Sequence, residues 1–103
     1  MNYEICVVGH EAMLFPFLQF GFATFAPKSE AALRECLLDV IDRGYGIIYL
    51  EDSFCFLAKD IIESRRGSLT PIFVPIGGDD EGEGYFAQVA REMAEKAVGV
   101  NVL

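Results

Sequence analysis

Glu51 and Asp52 stand side by side at the end of a short apolar run, Ile47-Ile48-Tyr49-Leu50. Paired carboxylates can hold a divalent cation or move protons. In open α/β sheets, ligands gather at the carboxyl ends of strands, which is where such a run would place this pair. The competing reading is structural: Asp52 caps the following helix and Glu51 is a solvated loop residue. His10, the single histidine, follows the first strand and could serve as a general base or pH switch. No serine or cysteine nucleophile is tied to it by spacing, and no second metal ligand stands beside it, so a partly exposed loop histidine is expected. The loop Gly77-Gly78-Asp79-Asp80-Glu81-Gly82-Glu83-Gly84 has the glycines of a phosphate cradle, but its acids repel phosphate and the P-loop lysine is missing. No glutamate stands at the twelfth position of a calcium loop. Acids 79–83 therefore read as a solvated segment before a helix, or as a dock for a basic partner. The sequence thus assigns no catalytic, cofactor-binding or metal-ligating residue.

Composition narrows the classes further. The chain has 103 residues, suited to one domain over 1–103. A net charge of −8 disfavours nucleic acid and anionic membrane surfaces. The apolar share is 52%, yet no run reaches the roughly 18 apolar residues of a membrane span, so no direct membrane insertion is expected. The N-terminus lacks the basic start of a signal peptide, and a cytoplasmic location is expected. Cys6, Cys36 and Cys55 are odd in number, widely spaced and without a CxxC pair, which fits small apolar positions in a reducing compartment.

The elements that position these residues follow from periodicity. Strands are expected at 3–8, 22–25, 46–50 and 71–76, with Pro71 at the start of the last or on an edge. A short helix spans 11–20, where Pro16 is tolerated only near the first turn. Ser29 caps a helix whose stripe is Leu33, Cys36, Leu37, Val40 and Ile41, closed by Gly44. Asp52 or Ser53 caps the next, with Phe54, Leu57, Ala58, Ile61 and Ile62 on one face, Arg65 and Arg66 in its last turn, and Gly67 as its stop. A final helix spans about 85–97. The order βαβαβαβα predicts a small doubly wound three-layer α/β domain with a four-stranded parallel sheet. Phe56 lies off its helix's apolar stripe, which fits either an exposed interface anchor or a buried arc that is simply wide; Arg65 and Arg66 would extend such an interface or else cap the helix end. The candidate protein-interface residues are Phe54, Phe56, Lys59, Ile62, Arg65 and Arg66.

Several segments together resemble a known family. The first strand with Gly9, followed by Phe17 and Gly21, is similar to an opening "VVGD…LGF…G". Residues Gly44 to Leu50 look like "GYAIIFI", and Glu51-Asp52 like the "TED" that follows. Residues Thr70 to Gly77 resemble "LPAIIPIPG", and Lys96 to Leu103 resemble a terminal "KAVGVDIL". These are segments of the F subunits of V/A-type ATP synthases, the small central-stalk components, and the likeness runs from end to end. Pro16 replaces a usual glycine, His10 a common aspartate, and the acidic loop a Gly- and Ser-rich segment. The resemblance implies a non-catalytic rotor subunit that binds the coiled-coil D subunit of the central stalk inside the catalytic headpiece. It also implies a peripheral place on the membrane, held through the complex, and a part in coupling ATP turnover to ion (proton) transport. The alternative is a receiver-like or flavodoxin-like signalling or ligand-binding domain. The receiver's acidic pair after the first strand and the flavodoxin's Ser/Thr-rich phosphate loop are both missing from the sequence.

Overall fold

A computed structural model of the chain describes residues 4–77 and Glu92. The acidic loop and all but one residue of the expected last helix lie outside the described residues; Glu92 is helical and exposed. The elements are β1 (Ile5–Val8), α1 (Glu11–Gln19), β2 (Ala23–Phe25), α2 (Glu30–Asp42), β3 (Ile47–Glu51), α3 (Asp52–Leu57), α4 (Lys59–Ser64) and β4 (Ile72–Ile76). The four strands form a wholly parallel sheet in the order β2-β1-β3-β4. Parallel neighbours need crossovers, and crossovers are right-handed. The path from β1 to β2 runs one way across the sheet and the path on to β3 and β4 runs the other. Helix α1 therefore lies on one face and α2 to α4 on the other, as an α/β fold requires.

The face beneath α2 to α4 carries the main core. Cys6, Val8, Ile48 and Leu50 point into it from β1 and β3, and Leu33, Leu37 and Val40 meet them from α2. Phe54, Cys55, Ala58 and Ile61 close it from α3 and α4. Burial pushes the Cys6 thiol up to about 12 and the Cys55 thiol likewise to about 12, so both stay protonated near neutral pH and behave as small apolar side chains. Arg34 ties α2 to α4 through a two-pronged pair with Asp60, at 2.8 and 2.6 Å, which holds the exposed Asp60 carboxyl down at about 2.

Local chemistry sets the ends of the elements. Ser29 Oγ accepts the Ala32 N–H at 3.1 Å and starts α2. Ser29→Ala is expected to cost about 1 kcal/mol of unfolding free energy, read by urea titration. At the other end Gly44 takes φ +89°, its N–H bonds Ile41 O, and the Tyr45 N–H bonds Val40 O. That is a Schellman closure, and it needs the glycine. Helix α1 ends the same way at Gly21, with Phe17 and Phe22 in edge-to-face contact across it at 5.9 Å.

Three local expectations need correction. Pro16 is not in the first turn of α1 but inside the helix, where it removes the bond that residue 16 would donate to Ala12 O. The helix after β3 is broken in two at Ala58, whose φ −118°, ψ 27° leaves the helical region. Arg65 and Arg66 are not in a last helical turn: α4 stops at Ser64, Arg65 is its cap, and Arg66 lies beyond. Pro71 immediately precedes β4, joined to Thr70 by a cis bond, and β4 is an edge strand that also tolerates Pro75.

Candidate functional site

The sheet order reverses between β1 and β3, so the mouth between their carboxyl ends is the topological switch point. Register pairs Val8 with Leu50, which carries Gly9 alongside Glu51 and sets His10 just beyond. A Cβ on Gly9 would lie 3.2 Å from Glu51 Cβ and 3.3 Å from Glu51 Oε1, and would overlap the terminal methyl of Met13. A side chain at this position would crowd Glu51 and displace the end of Met13, so glycine suits the close approach of the two strand ends.

In that space Glu51 accepts three hydrogen bonds. The His10 backbone N–H donates to Oε1 at 3.2 Å, and Ser53 Oγ donates to Oε2 at 2.7 Å. The His10 ring Nδ1 meets Oε2 at 2.5 Å. The His10 ring also lies against Phe54, with centroids 4.7 Å apart and planes at 43°. Burial alone would raise the Glu51 pKa; the bonds from Ser53 and His10 outweigh it and hold the carboxyl below its ordinary value. The expected assignments at this point are incomplete. Glu51 is not a solvated loop residue, since its side chain is only 12% exposed and it belongs to β3. His10 is exposed as expected, but it has a carboxylate partner. Asp52 is the first residue of α3 rather than its cap, and the cap position, Glu51, makes no side-chain capping bond.

A histidine on a carboxylate is two members of an acid–base relay. Among the described residues Ser53 does not supply the third: its Oγ donates to the same Glu51 oxygen rather than to the imidazole. Among the described residues, no group of three or more His, Cys, Asp or Glu side chains is placed to hold a metal ion. A cleft of about 260 Å³ opens beside the cluster, walled by Leu33, Phe54 and Leu57 and rimmed by Glu11, Lys28 and Glu30. The lysine on its rim is already paired with Glu11 at 2.6 Å, so it is committed to a carboxylate of the chain itself rather than offered to an anionic ligand. The cluster is best understood as a latch that fastens the β1–α1 junction to the β3–α3 junction.

The residues singled out on and after the helix that follows β3 separate into two groups. Phe54 is 7% exposed and belongs to the core, and Ile62 is half-buried against it. Phe56 is 44% exposed, and Lys59, Arg65 and Arg66 are exposed. Lys59 is partly compensated by Glu63 one helical turn on, at 3.9 Å. Arg65 and Arg66 have no carboxylate within ion-pair distance among the described residues. Leu69, which periodicity does not single out, is the most exposed large apolar residue of the described part.

Similarity to known proteins identifies the family. Residues 5–94 match the family model for the ATP synthase (F/14-kDa) subunit. The chain is 28% identical over 109 residues to the F subunit of the A-type ATP synthase of Halorubrum lacusprofundi, covering 100% of this chain and 96% of that one. Its fold matches the crystal structure of the F subunit of the V-type ATP synthase from Archaeoglobus fulgidus with a TM-score of 0.58 at 20% identity, over 75% of this chain and 100% of that one. Among the described residues no helix is long and apolar enough to cross a membrane. The family match, spanning nearly nine-tenths of the sequence, sets aside a receiver-like or flavodoxin-like domain, and the chain belongs to the family of the ATP synthase (F/14-kDa) subunit, a non-catalytic component of rotary ATPases.

Proposed function

We propose that this protein works in the central stalk of a V/A-type rotary ATPase, where it binds the coiled-coil D subunit within the catalytic headpiece. There it helps couple ATP turnover to ion transport, on the cytoplasmic side and peripheral to the membrane through the complex. The observation that carries the reading is the family match over residues 5–94. The physical chemistry supports it. The switch-point mouth is occupied by a satisfied latch rather than an open reactive group, while the exposed surface of α3 and the turn after α4 offer Phe56 and two guanidiniums to a partner. Aromatic and arginine side chains are the usual anchors of protein interfaces.

Co-expression with the D subunit followed by size-exclusion chromatography tests this. A single peak holding both chains at micromolar concentration is expected, and two separate peaks would sink the reading. Phe56→Ala combined with Arg65→Ala is expected to weaken the complex. Unchanged affinity would move the interface elsewhere on the protein and leave the family assignment standing.

A further inference from the structure

We propose that the turn from Arg65 to Leu69 is a preformed dock for an acidic protein surface, with both guanidiniums pairing carboxylates and Leu69 entering an apolar pocket beside them. This rests on the reading of the chain as a stalk component, and names the chemistry of the surface it meets.

The charge pattern comes first. In a chain of net charge −8, the other described lysines and arginines already face a carboxylate: Lys28 faces Glu11, Arg34 Asp60, Arg43 Asp39 and Lys59 Glu63. Arg65 and Arg66 are adjacent, exposed and uncompensated among the described residues. Exposure comes next. Every residue from 63 to 70 is exposed, and Leu69 keeps 91% of its surface in water. An isolated exposed leucine is ordinary; one three positions beyond a pair of arginines that are uncompensated among the described residues has the composition of an interface anchor.

The turn is built, not loose. The Arg65 N–H bonds Ile62 O, the Arg66 N–H bonds Glu63 O, and the Ser68 N–H bonds Arg65 O, each at 3.1 Å. Gly67 takes φ +93°, in the left-handed region that glycine adopts without steric cost. A backbone fixed before binding lowers the ordering cost of association.

A protein partner fits better than a lipid surface. Membrane recruitment takes clusters of about four to eight basic residues, and an anionic bilayer repels the chain's overall negative charge. A discrete carboxylate pair interacts mainly with charges within about 8 Å at physiological salt, and so meets the two arginines rather than the whole chain.

The test uses the full chain and the purified D subunit, with affinity measured by calorimetry at about 50 and about 500 mM salt. Arg65→Glu with Arg66→Glu is expected to weaken binding at least about tenfold at the lower salt, with the gap narrowing at the higher. Leu69→Ser is expected to weaken binding at both. Phe15→Ser, on exposed α1, serves as the control that changes neither. Thermal melts of the three variants should match the wild type, because the substituted side chains are exposed. Wild-type binding with unaltered affinity in the turn variants would overturn the dock and leave the stalk reading intact. Failure of the wild type to bind would overturn both. Retention of the wild type on phosphatidylserine vesicles, lost on charge reversal, would overturn the dock by assigning the turn to a lipid surface.

Discussion

Replacing Leu37 by alanine is expected to lower the unfolding free energy by about 2–5 kcal/mol. Leu37 lies in the middle of α2 with none of its surface exposed, facing the β1 and β3 side chains and the α3–α4 wall at once. Truncation removes the transfer free energy of the lost carbons and leaves a cavity that a sheet on one side and a second helix on the other cannot readily fill. Domains of this size hold only about 5–15 kcal/mol in all, so the loss is a large fraction of the total. Urea unfolding should show a lower midpoint with an unchanged slope. Leu38→Ala provides the contrast: that side chain is 52% exposed, and its loss should stay within about 0.5 kcal/mol. The reverse order of effects would mean that α2 is rotated about its axis relative to the arrangement described.

The same pair of leucines shows how much of the fold can be read from sequence. A stripe at Leu33, Leu37 and Val40, bounded by Ser29 and Gly44, fixes both the existence of α2 and the face it buries, because helical periodicity and capping chemistry are local. The break at Ala58 is hidden for the same reason: Phe54, Ala58, Ile61 and Ile62 keep helical spacing straight through it, so the pattern records which residues are buried and not where the hydrogen-bond ladder is interrupted. The interior place of Pro16 escapes a reading by propensity, which argues against it; packing of Leu14 and the Phe17–Phe22 contact override that preference.

The latch is a different case. His10 and Glu51 are 41 positions apart, and no periodicity connects them. Each can be placed at the end of a strand from its local context. Only the strand order makes those strands neighbours, and only the register sets Gly9 opposite the carboxylate. The alternation of strands and helices gives a parallel sheet without giving its order, so both halves of the pair are visible and the pairing is not. At the turn after α4, Arg65 and Arg66 are visible as charges, but their lack of compensating carboxylates among the described residues is a property of the folded surface. Leu69 leaves no signal at all, since one leucine between Ser68 and Thr70 belongs to no stripe.

Glu51→Ala is expected to cost about 1–3 kcal/mol near neutral pH, since it removes the shared acceptor of three donors, one of them an imidazole. The size of that cost should depend on pH, with a sign set by the depressed pKa of the carboxyl. A carboxyl held below its ordinary value in the folded state stabilises the fold fully above the unfolded value of about 4.3. That contribution fades as pH falls towards and through the lower folded value. Urea unfolding at a series of pH values should therefore show the gap between wild type and Glu51→Ala widest above about pH 5 and shrinking below about pH 4. A gap that grows on acidification would contradict the sign. The role of the histidine separates cleanly in a double-mutant cycle with His10→Ala. A latch predicts a coupling of about 0.5–3 kcal/mol between the two positions, whereas independent surface residues would give additive losses. Neither variant should disturb the proposed docking of the Arg65–Leu69 turn on the D subunit, since that turn lies beyond α3 and α4 in sequence and shares none of the latch's hydrogen bonds. Loss of that binding in Glu51→Ala at a temperature where the variant is folded would show that the strand mouth, and not only the turn, belongs to the interface.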